Sequence, residues 1–156
     1  MKIVNNRATG SAVKISMRSD YGARALLYLA EHYGRGPVQS AEIAARQGIP
    51  EAYLEQLLTV LRRAGLIRSV RGPAGGHMLA RPPGEVRLSE VVAAMDGPTP
   101  TLACTSERGC QVTPQCVLYD VWREIETTAQ SILDSVTLAD LLARQEAARQ
   151  RVMYHI

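Results

Sequence analysis

The 156-residue sequence has no phenylalanine, and aromatic residues make up only 4% of it. Hydrophobic residues still amount to 46%, so a core can form, but leucine, alanine, valine and isoleucine must build it. Leucine and alanine favour helices, whereas the aromatic residues that favour strands are scarce. The composition therefore predicts a mainly α-helical protein of one domain, with or without an appendage.

Long apolar runs are also missing. No stretch approaches the roughly 20 residues that a membrane span requires. The N-terminal residues Met1 to Arg7 have no long apolar stretch behind them, as a secretory signal would have. We expect a cytoplasmic protein that does not bind a membrane.

Motifs of catalysis are absent as well. The sequence contains no nucleophile motif, phosphate-binding loop, pair of catalytic carboxylates or metalloprotease helix. The three histidines, His32, His77 and His155, are scattered. We therefore expect a protein that is not an enzyme.

Charge is distributed unevenly along the chain. Residues 1–80 hold 11 lysines and arginines against 5 acidic residues, whereas residues 81–156 hold 7 against 10. A basic half joined to an acidic half indicates that the first half meets a polyanion such as DNA, unless the difference is chance surface variation.

Two short helices joined by a tight turn are predicted inside the basic half, after a first helix that begins near Ser19 and Asp20. The second helix starts at Ser40 and stops at Gly48, and the third starts at Pro50. The third helix has one apolar face, formed by Leu54, Leu57, Leu58 and Leu61. This arrangement is a helix-turn-helix.

A β-hairpin is predicted directly after the third helix. Residues 66–70 and 77–80 are typical of strands, and the turn between them is rich in glycine and contains Arg71. Since a basic hairpin following a helix-turn-helix is a wing, we predict a winged helix-turn-helix DNA-binding domain over residues 14–96, preceded by a flexible arm at 1–13.

The start of the third helix is the predicted reader of DNA, because that turn of a recognition helix faces base edges in the major groove. Glu can accept from cytosine, Gln can pair with adenine, and Ala can touch a thymine methyl group. Glu51 can equally be a favourable charge at a helix start. The predicted DNA-binding residues, including two phosphate contacts on the second helix and two positions in the wing, are Ser40, Arg46, Glu51, Ala52, Tyr53, Gln56, Arg71 and Gly75.

An apolar seam spaced alternately by four and three residues predicts a long helix over part of residues 117–156. Its members are Leu118, Trp122, Ile125, Ala129, Ile132 and Val136. Such a seam suits two copies of a helix that cross in a two-fold dimer. The alternative is that the seam packs against its own chain. Thr137 is a candidate cap for a final helix.

All three cysteines, Cys104, Cys110 and Cys116, lie in the segment 97–116 with the spacing C-x5-C-x5-C. An odd number of cysteines argues against a disulfide framework and for metal or redox chemistry. Three thiolates suit a soft metal centre, and the spacing differs from the paired C-x2-C of structural zinc sites. A metal-free thiol switch, such as a disulfide between Cys104 and Cys110, remains an alternative.

Three segments, at residues 17–26, 49–58 and 66–76, resemble the Rrf-two family of bacterial regulators, and the likeness extends over about residues 14–145. The resemblance implies a dimer with winged helices and a long crossing helix. It also implies an iron–sulphur cluster of the 2Fe–2S or 4Fe–4S type, which many members hold through three cysteines in a loop before that helix.

The fourth cluster ligand is the point on which the family's subtypes differ. In one subtype it is a histidine three residues after the third cysteine, where this chain has Tyr119. In another subtype it is an aspartate near the start of the first helix of the partner subunit, which matches Asp20. Asp20 can instead be a helix cap, and His32, His77, solvent or a small thiol are further candidates. Asp20 with the three cysteines is the predicted ligand set.

Together these features predict a dimeric regulator whose operator affinity is controlled by an iron–sulphur cluster that senses redox state, nitric oxide, iron or cluster status. The alternative is a cluster-free winged-helix regulator that responds through its cysteine thiols or through a protein partner.

Overall fold

The computed structural model describes residues 15–97 and 116–153. Within them it is mainly α-helical with one two-stranded antiparallel hairpin, as predicted. The predicted arm, Cys104 and Cys110 lie outside the described residues. In chain order the elements are α1 Met17–Glu31, α2 Ser40–Gln47, α3 Glu51–Arg63, β1 Ile67–Val70, β2 Gly76–Leu79, a 3-10 turn Pro83–Glu85, α4 Leu88–Asp96, α5 Leu118–Ser135 and α6 Leu138–Met153.

Helix α1 begins earlier than its predicted caps. Ser16 is its N-cap, because its backbone is extended and its Oγ accepts a hydrogen bond from the N–H of Ser19 at 3.0 Å. Ser19 and Asp20 therefore lie inside the first turn, and the interpretation of Asp20 as the cap is wrong. Similarly, Ser40 is the first residue of α2 and not its cap, which is Gln39.

Helices α2 and α3 form the predicted corner. Gly48 adopts a left-handed conformation (φ 63°) that ends α2, and Glu51 opens α3 directly after Pro50. Leu54, Leu57, Leu58 and Leu61 of α3 are all buried in one core with residues of α1 and α2. The leucine spacing in the sequence thus marks the face by which α3 packs against α1 and α2.

The hairpin pairs Ile67 with Leu79 and Val70 with Gly76. A third segment joins it, since Val38, just before α2, exchanges two backbone hydrogen bonds with His77 at 2.7 and 2.8 Å. A Cβ on Gly76 would strike the carbonyl oxygen of Val38. Glycine at this position therefore allows the hairpin to lie against the helix-turn-helix.

The C-terminal helix α6 packs back onto α1. Leu138 is fully buried in the common core, and Glu31 of α1 accepts hydrogen bonds from Gln145 and, at 3.0 Å, from Arg149. Thr137 caps α6 as predicted, because its Oγ1 accepts from the N–H of Asp140 while the Asp140 carboxylate accepts from the N–H of Thr137.

Helix α4 is anchored at its start by Glu90. The carboxylate accepts a hydrogen bond from the N–H of Arg87 at 2.9 Å and pairs with the guanidinium of Arg81 at 2.7 Å. Partial burial raises the pKa of Glu90, but these bonds and the neighbouring positive charges outweigh it, so the pKa lies below its ordinary value.

Over residues 15–97 and 116–153, no helix is long and apolar enough to cross a membrane.

Candidate nucleic-acid interface and metal-ligand residues

The side of α3 opposite the leucines carries the candidate base-reading residues. Glu51, Ala52 and Gln56 are exposed there, at the start of the helix. Glu55, which the sequence analysis did not select, is exposed on the same side and lies one turn after Glu51. Its position one turn after a candidate was the available signal.

Tyr53 differs from the other candidates on α3, because it is half-buried. Its ring meets the ring of Tyr21 edge-to-face, with centroids 5.9 Å apart, and the Arg24 guanidinium lies over the Tyr21 ring at 5.8 Å from its centroid. Edge-to-face packing of this kind adds to the burial of both rings. Tyr53 therefore fixes the start of α3 onto α1, and only part of its surface is open to a ligand.

The wing turn presents its arginine outward. Arg71 is exposed, whereas Gly75 is buried, and the N–H of Gly75 bonds the carbonyl of Gly72 at 2.9 Å. A Cβ on Gly75 would overlap the carbonyl oxygen of Val70. The role that the structure supports for Gly75 is thus steric: it permits the tight turn that exposes Arg71.

The two candidate phosphate contacts lie at opposite ends of α2. Ser40, in the first turn, is half-buried, and Arg46, in the last turn, is exposed. The Gln39 side chain, just before α2, donates to the carbonyl of Pro73 in the wing turn at 3.4 Å. The start of α2 and the wing turn therefore form one continuous surface.

Both described histidines have local partners. His77 Nδ1 lies 3.0 Å from Ser69 Oγ across the hairpin, and burial lowers the pKa of His77, so its neutral form is favoured. His32 Nδ1 lies 2.8 Å from the carbonyl of Tyr28, whose ring it also contacts. These contacts explain both side chains without a metal.

Asp20 has one described partner, Arg24, whose Nε lies 3.0 Å from its carboxylate. The two side chains are 40% and 50% exposed, so the ion pair is a surface pair of low strength that a stronger ligand can displace. Asp20 is thus an accessible carboxylate in the first turn of α1.

Cys116 is half-buried just before α5, and its carbonyl accepts from the N–H of Tyr119 at 3.1 Å. The hydroxyl of Tyr119, three residues after Cys116, accepts a hydrogen bond from Arg123 at 3.2 Å. Within the described part of the chain no three histidine, cysteine or acidic side chains come together as a metal site. The donor set of three thiolates and one carboxylate fits an iron–sulphur cluster in chemical type.

The predicted seam of α5 is apolar and open to solvent over most of its length. Leu118, Ile125 and Ile132 are 51%, 41% and 59% exposed, whereas Trp122 and Ala129 are half-buried. The structure adds two exposed residues that the analysis missed, namely Val117 and Val121. Val121 lies three residues after Leu118 and four before Ile125, and Val117 lies four before Val121, so the same spacing was the available signal.

Val136, the last residue of the predicted seam, is buried in its own chain and lies beyond the end of α5. Its carbonyl accepts a hydrogen bond from the N–H of Leu88, at the start of α4. The chain becomes extended here to pair with the residues before α4, so Val136 points into the core. Its placement in a dimer seam is therefore corrected.

The fold and these surfaces define a winged helix-turn-helix protein, and the family model of Rrf2, described as "Iron-dependent Transcriptional regulator", matches residues 15–144. The chain belongs to the Rrf2 family of transcriptional regulators. The relatives found are named as regulators and not as enzymes, which agrees with the absence of catalytic motifs.

Several relatives bear the name IscR. The HTH-type transcriptional regulator IscR of Aliivibrio salmonicida (strain LFI1238) is 38% identical over 134 residues, which cover 86% of this chain and 80% of the relative. The solved structure of T. potens IscR is 39% identical, with a TM-score of 0.75, and covers 88% of this chain and 91% of the other. The solved CymR, the global cysteine regulator of B. subtilis, is 31% identical, with a TM-score of 0.72 and coverages of 85% and 98%.

Proposed function

We propose that this regulator binds operator DNA as a homodimer in the cytoplasm and that an iron–sulphur cluster controls its affinity. The observation that carries the proposal is the set of Cys104, Cys110 and Cys116 directly before α5, in a chain that is 38–39% identical to proteins named IscR. The family's description as iron-dependent supports the same proposal.

The DNA contacts follow from the exposed surface of the winged helix. Glu51, Ala52 and Gln56 face base edges when α3 enters the major groove. Arg71, at the exposed wing turn, reaches the adjacent minor groove, because the negative potential of a narrow groove attracts a positive charge. Ser40 and Arg46, at the two ends of α2, contact phosphates of the DNA backbone.

The predicted dimer follows from the exposed stripe on α5, which is defined as Val117, Leu118, Val121, Ile125 and Ile132. Each of these residues is at least 41% exposed in the single chain, and an apolar helix face of this kind is normally covered by a partner. Two-fold pairing of the stripe places two recognition helices side by side. A dimer then reads two half-sites, whose spacing follows from the distance between the helices.

The proposed ligands are Cys104, Cys110 and Cys116 of one protomer and Asp20 of the partner subunit. A bound cluster supplies a redox-active and chemically reactive centre. The carboxylate of Asp20 is a harder donor than a thiolate, so it holds iron less firmly and can be displaced. In the absence of a cluster, Asp20 keeps its pair with Arg24.

The position of Asp20 supplies the proposed coupling to DNA. Asp20 lies beside Tyr21, whose ring packs against Tyr53 at the start of α3. When Asp20 is engaged by the partner's cysteine segment, α1 of one protomer is restrained against the other. This restraint selects one spacing of the two recognition helices, which is a shift between pre-existing arrangements.

A second function is favoured by the likeness to CymR, a structure described as a cysteine regulator. In that case the cysteines act as bare thiols, or the signal is a protein partner. The DNA-binding surface is the same for both proposals.

The deciding experiment measures iron and acid-labile sulphide in the protein purified anaerobically from iron-replete cells. We expect a brown protein with both elements near stoichiometry, and a DNA duplex selected from a random library should bind the loaded and cluster-free forms with different affinities. Absence of iron and sulphide after reconstitution would refute the cluster and favour the second function. The measured affinities should fall steeply with salt, since phosphate contacts release counterions.

Asp20→Ala tests the fourth ligand, with Glu85→Ala, an exposed acidic residue of the 3-10 turn before α4, as the matched control. We expect faster loss of the cluster's visible absorption in air for Asp20→Ala than for the control. If Asp20→Ala changes neither cluster retention nor DNA affinity, the assignment of Asp20 is wrong.

A further inference from the structure

The carboxylate of Asp96, the last residue of α4, accepts hydrogen bonds from two serine hydroxyls at the start of α1. The Oγ of Ser16 lies 2.7 and 2.6 Å from its two carboxylate oxygens, and the Oγ of Ser19 lies 2.6 Å from one of them. Ser19 is 1% exposed, and among the residues that the structure describes it is the one polar residue that is buried. Nothing in the local sequence pairs these residues, which are 77 and 80 positions apart.

The two serine hydroxyls and the Asp96 carboxylate make a closed arrangement. Hydroxyl-to-carboxylate bonds at 2.6–2.7 Å have the length of charge-assisted hydrogen bonds, which are stronger than neutral ones. The Oγ of Ser16 also accepts from the N–H of Ser19, so the cap of α1 and the carboxylate of Asp96 are one network. Loss of Asp96 would leave the buried hydroxyl of Ser19 without its acceptor.

Close packing continues one turn further along α1. Gly22 is buried against Met95, and a Cβ there would come within 3.0 Å of the Met95 side chain. The end of α4 is therefore packed directly against the first turns of α1.

The network lies between the two parts of the chain that carry the proposed ligands. Asp96 and Gly97 lead directly into the segment that contains Cys104 and Cys110, and Ser19 directly precedes Asp20. Gly97 ends α4 with a positive φ of 82°, so Asp96 is the last helical residue before that segment. Asp96 is therefore the last described side chain before the cysteine segment, and it contacts the start of α1 directly.

We infer that Asp96 is a positioning residue that transmits the state of the cysteine segment to the first turn of α1 through Ser16 and Ser19. The inference deepens the proposed function and rests on it for the nature of the signal. The contact itself lies within one chain and is present without a cluster.

The test compares Asp96→Asn, which keeps the size of the side chain but removes its charge and one acceptor, with Glu85→Gln. Glu85 is an exposed acidic residue of the 3-10 turn before α4 and serves as the matched control. The first readout is amide hydrogen exchange in the first turn of α1 in the cluster-free protein. We expect exchange there to be about tenfold faster in Asp96→Asn than in the control, as for loss of one charge-assisted hydrogen bond. Equal exchange in both variants would overturn the inference.

The second readout is one that a purely structural role would not move. In the wild type, loading the cluster should change both the exchange of the first turn of α1 and the affinity for the selected duplex, whereas in Asp96→Asn the ratio of loaded to cluster-free affinity should approach one. If Asp96→Asn does not fold, Ser19→Ala removes one of the hydroxyls from the other side and is measured in the same way. An unchanged ratio in the folded variants would also overturn the inference.

Failure of the proposed function is distinguishable from failure of this inference. If the wild type takes up no iron or sulphide, the cysteines are alkylated with N-ethylmaleimide instead. We then expect alkylation to alter exchange in the first turn of α1 in the wild type but not in Asp96→Asn. A wild type whose α1 responds to neither cluster loading nor alkylation would refute the coupling.

Discussion

Ile125→Asp is the substitution that tests the stripe on α5 most directly. Ile125 lies in the middle of the stripe and is 41% exposed in the single chain. Covering the exposed part of such a side chain is worth about 1 kcal/mol, since full burial of an isoleucine contributes about 1.5–3 kcal/mol. A carboxylate at the same place would also be desolvated without a partner, at a cost of about 1–3 kcal/mol.

Two-fold symmetry doubles the effect, because one substitution changes both protomers. The dimer is therefore destabilised by about 4–8 kcal/mol, which corresponds to a rise of about three to six orders of magnitude in its dissociation constant. Sedimentation at micromolar concentration should show a monomer where the wild type shows a dimer. Affinity for a duplex with two half-sites should fall in parallel.

The matched control is Thr127→Asp. Thr127 is exposed and lies two residues further on, which is about 200° around the helix and so on the opposite face of α5. Thr127→Asp introduces the same charge as Ile125→Asp but outside the stripe, so we expect this variant to remain dimeric. Both variants should keep the helical content of the wild type, because neither residue belongs to the buried core. A dimeric Ile125→Asp with wild-type operator affinity would refute the reasoning.

Three further substitutions test the wing turn, the hydrophobic core and the anchor of α4. Gly75→Ala forces a methyl group against the carbonyl oxygen of Val70 and so disturbs the wing turn. Because overpacking costs about 1–3 kcal/mol, affinity for the selected duplex should fall about tenfold or more. Unchanged binding would contradict the role of Gly75 in the tight turn. Leu58→Ala leaves a cavity at a side chain that is 1% exposed. The free energy of unfolding, measured in urea, should fall by about 2–5 kcal/mol. A much smaller loss would contradict the place of Leu58 in the core. Glu90→Gln removes a carboxylate whose pKa is held below its ordinary value of 4.5. The stability it provides is present above the pKa of the unfolded chain and is lost as the pH falls through the lower folded value. The advantage of the wild type over Glu90→Gln should therefore be larger at pH 7 than at pH 3, and equal advantages would contradict the shift.

The helix-turn-helix and the wing were predictable because their signals are local. The spacing of Leu54, Leu57, Leu58 and Leu61 fixes the buried face of α3, and once that face is fixed the positions of Glu51, Ala52 and Gln56 on the exposed face follow from helical geometry. Glycines at the turns ended the elements where their backbone conformation requires it, as Gly48 does.

The starts of the helices were less predictable. At the start of α1 two serines, Ser16 and Ser19, compete for the cap position, and which one accepts the backbone N–H depends on where the chain before it runs. Ser16 caps α1 rather than Ser19, since Ser19 is drawn inward to the carboxylate of Asp96. Asp20 was recognised as a candidate ligand, but its surface pair with Arg24 became visible only in the structure.

The sequence alone determined the class of elements, the order in which they occur, the candidate reading residues and the cysteine spacing, because each depends on residues that are near one another in the chain. Tertiary structure decided that Val136 points into the core, that Val38 extends the wing, and that Asp96 joins the end of α4 to the start of α1. These contacts depend on how separate elements pack in space. Periodicity cannot reveal them, because it specifies which face of a helix or strand is buried but not which distant residue covers it.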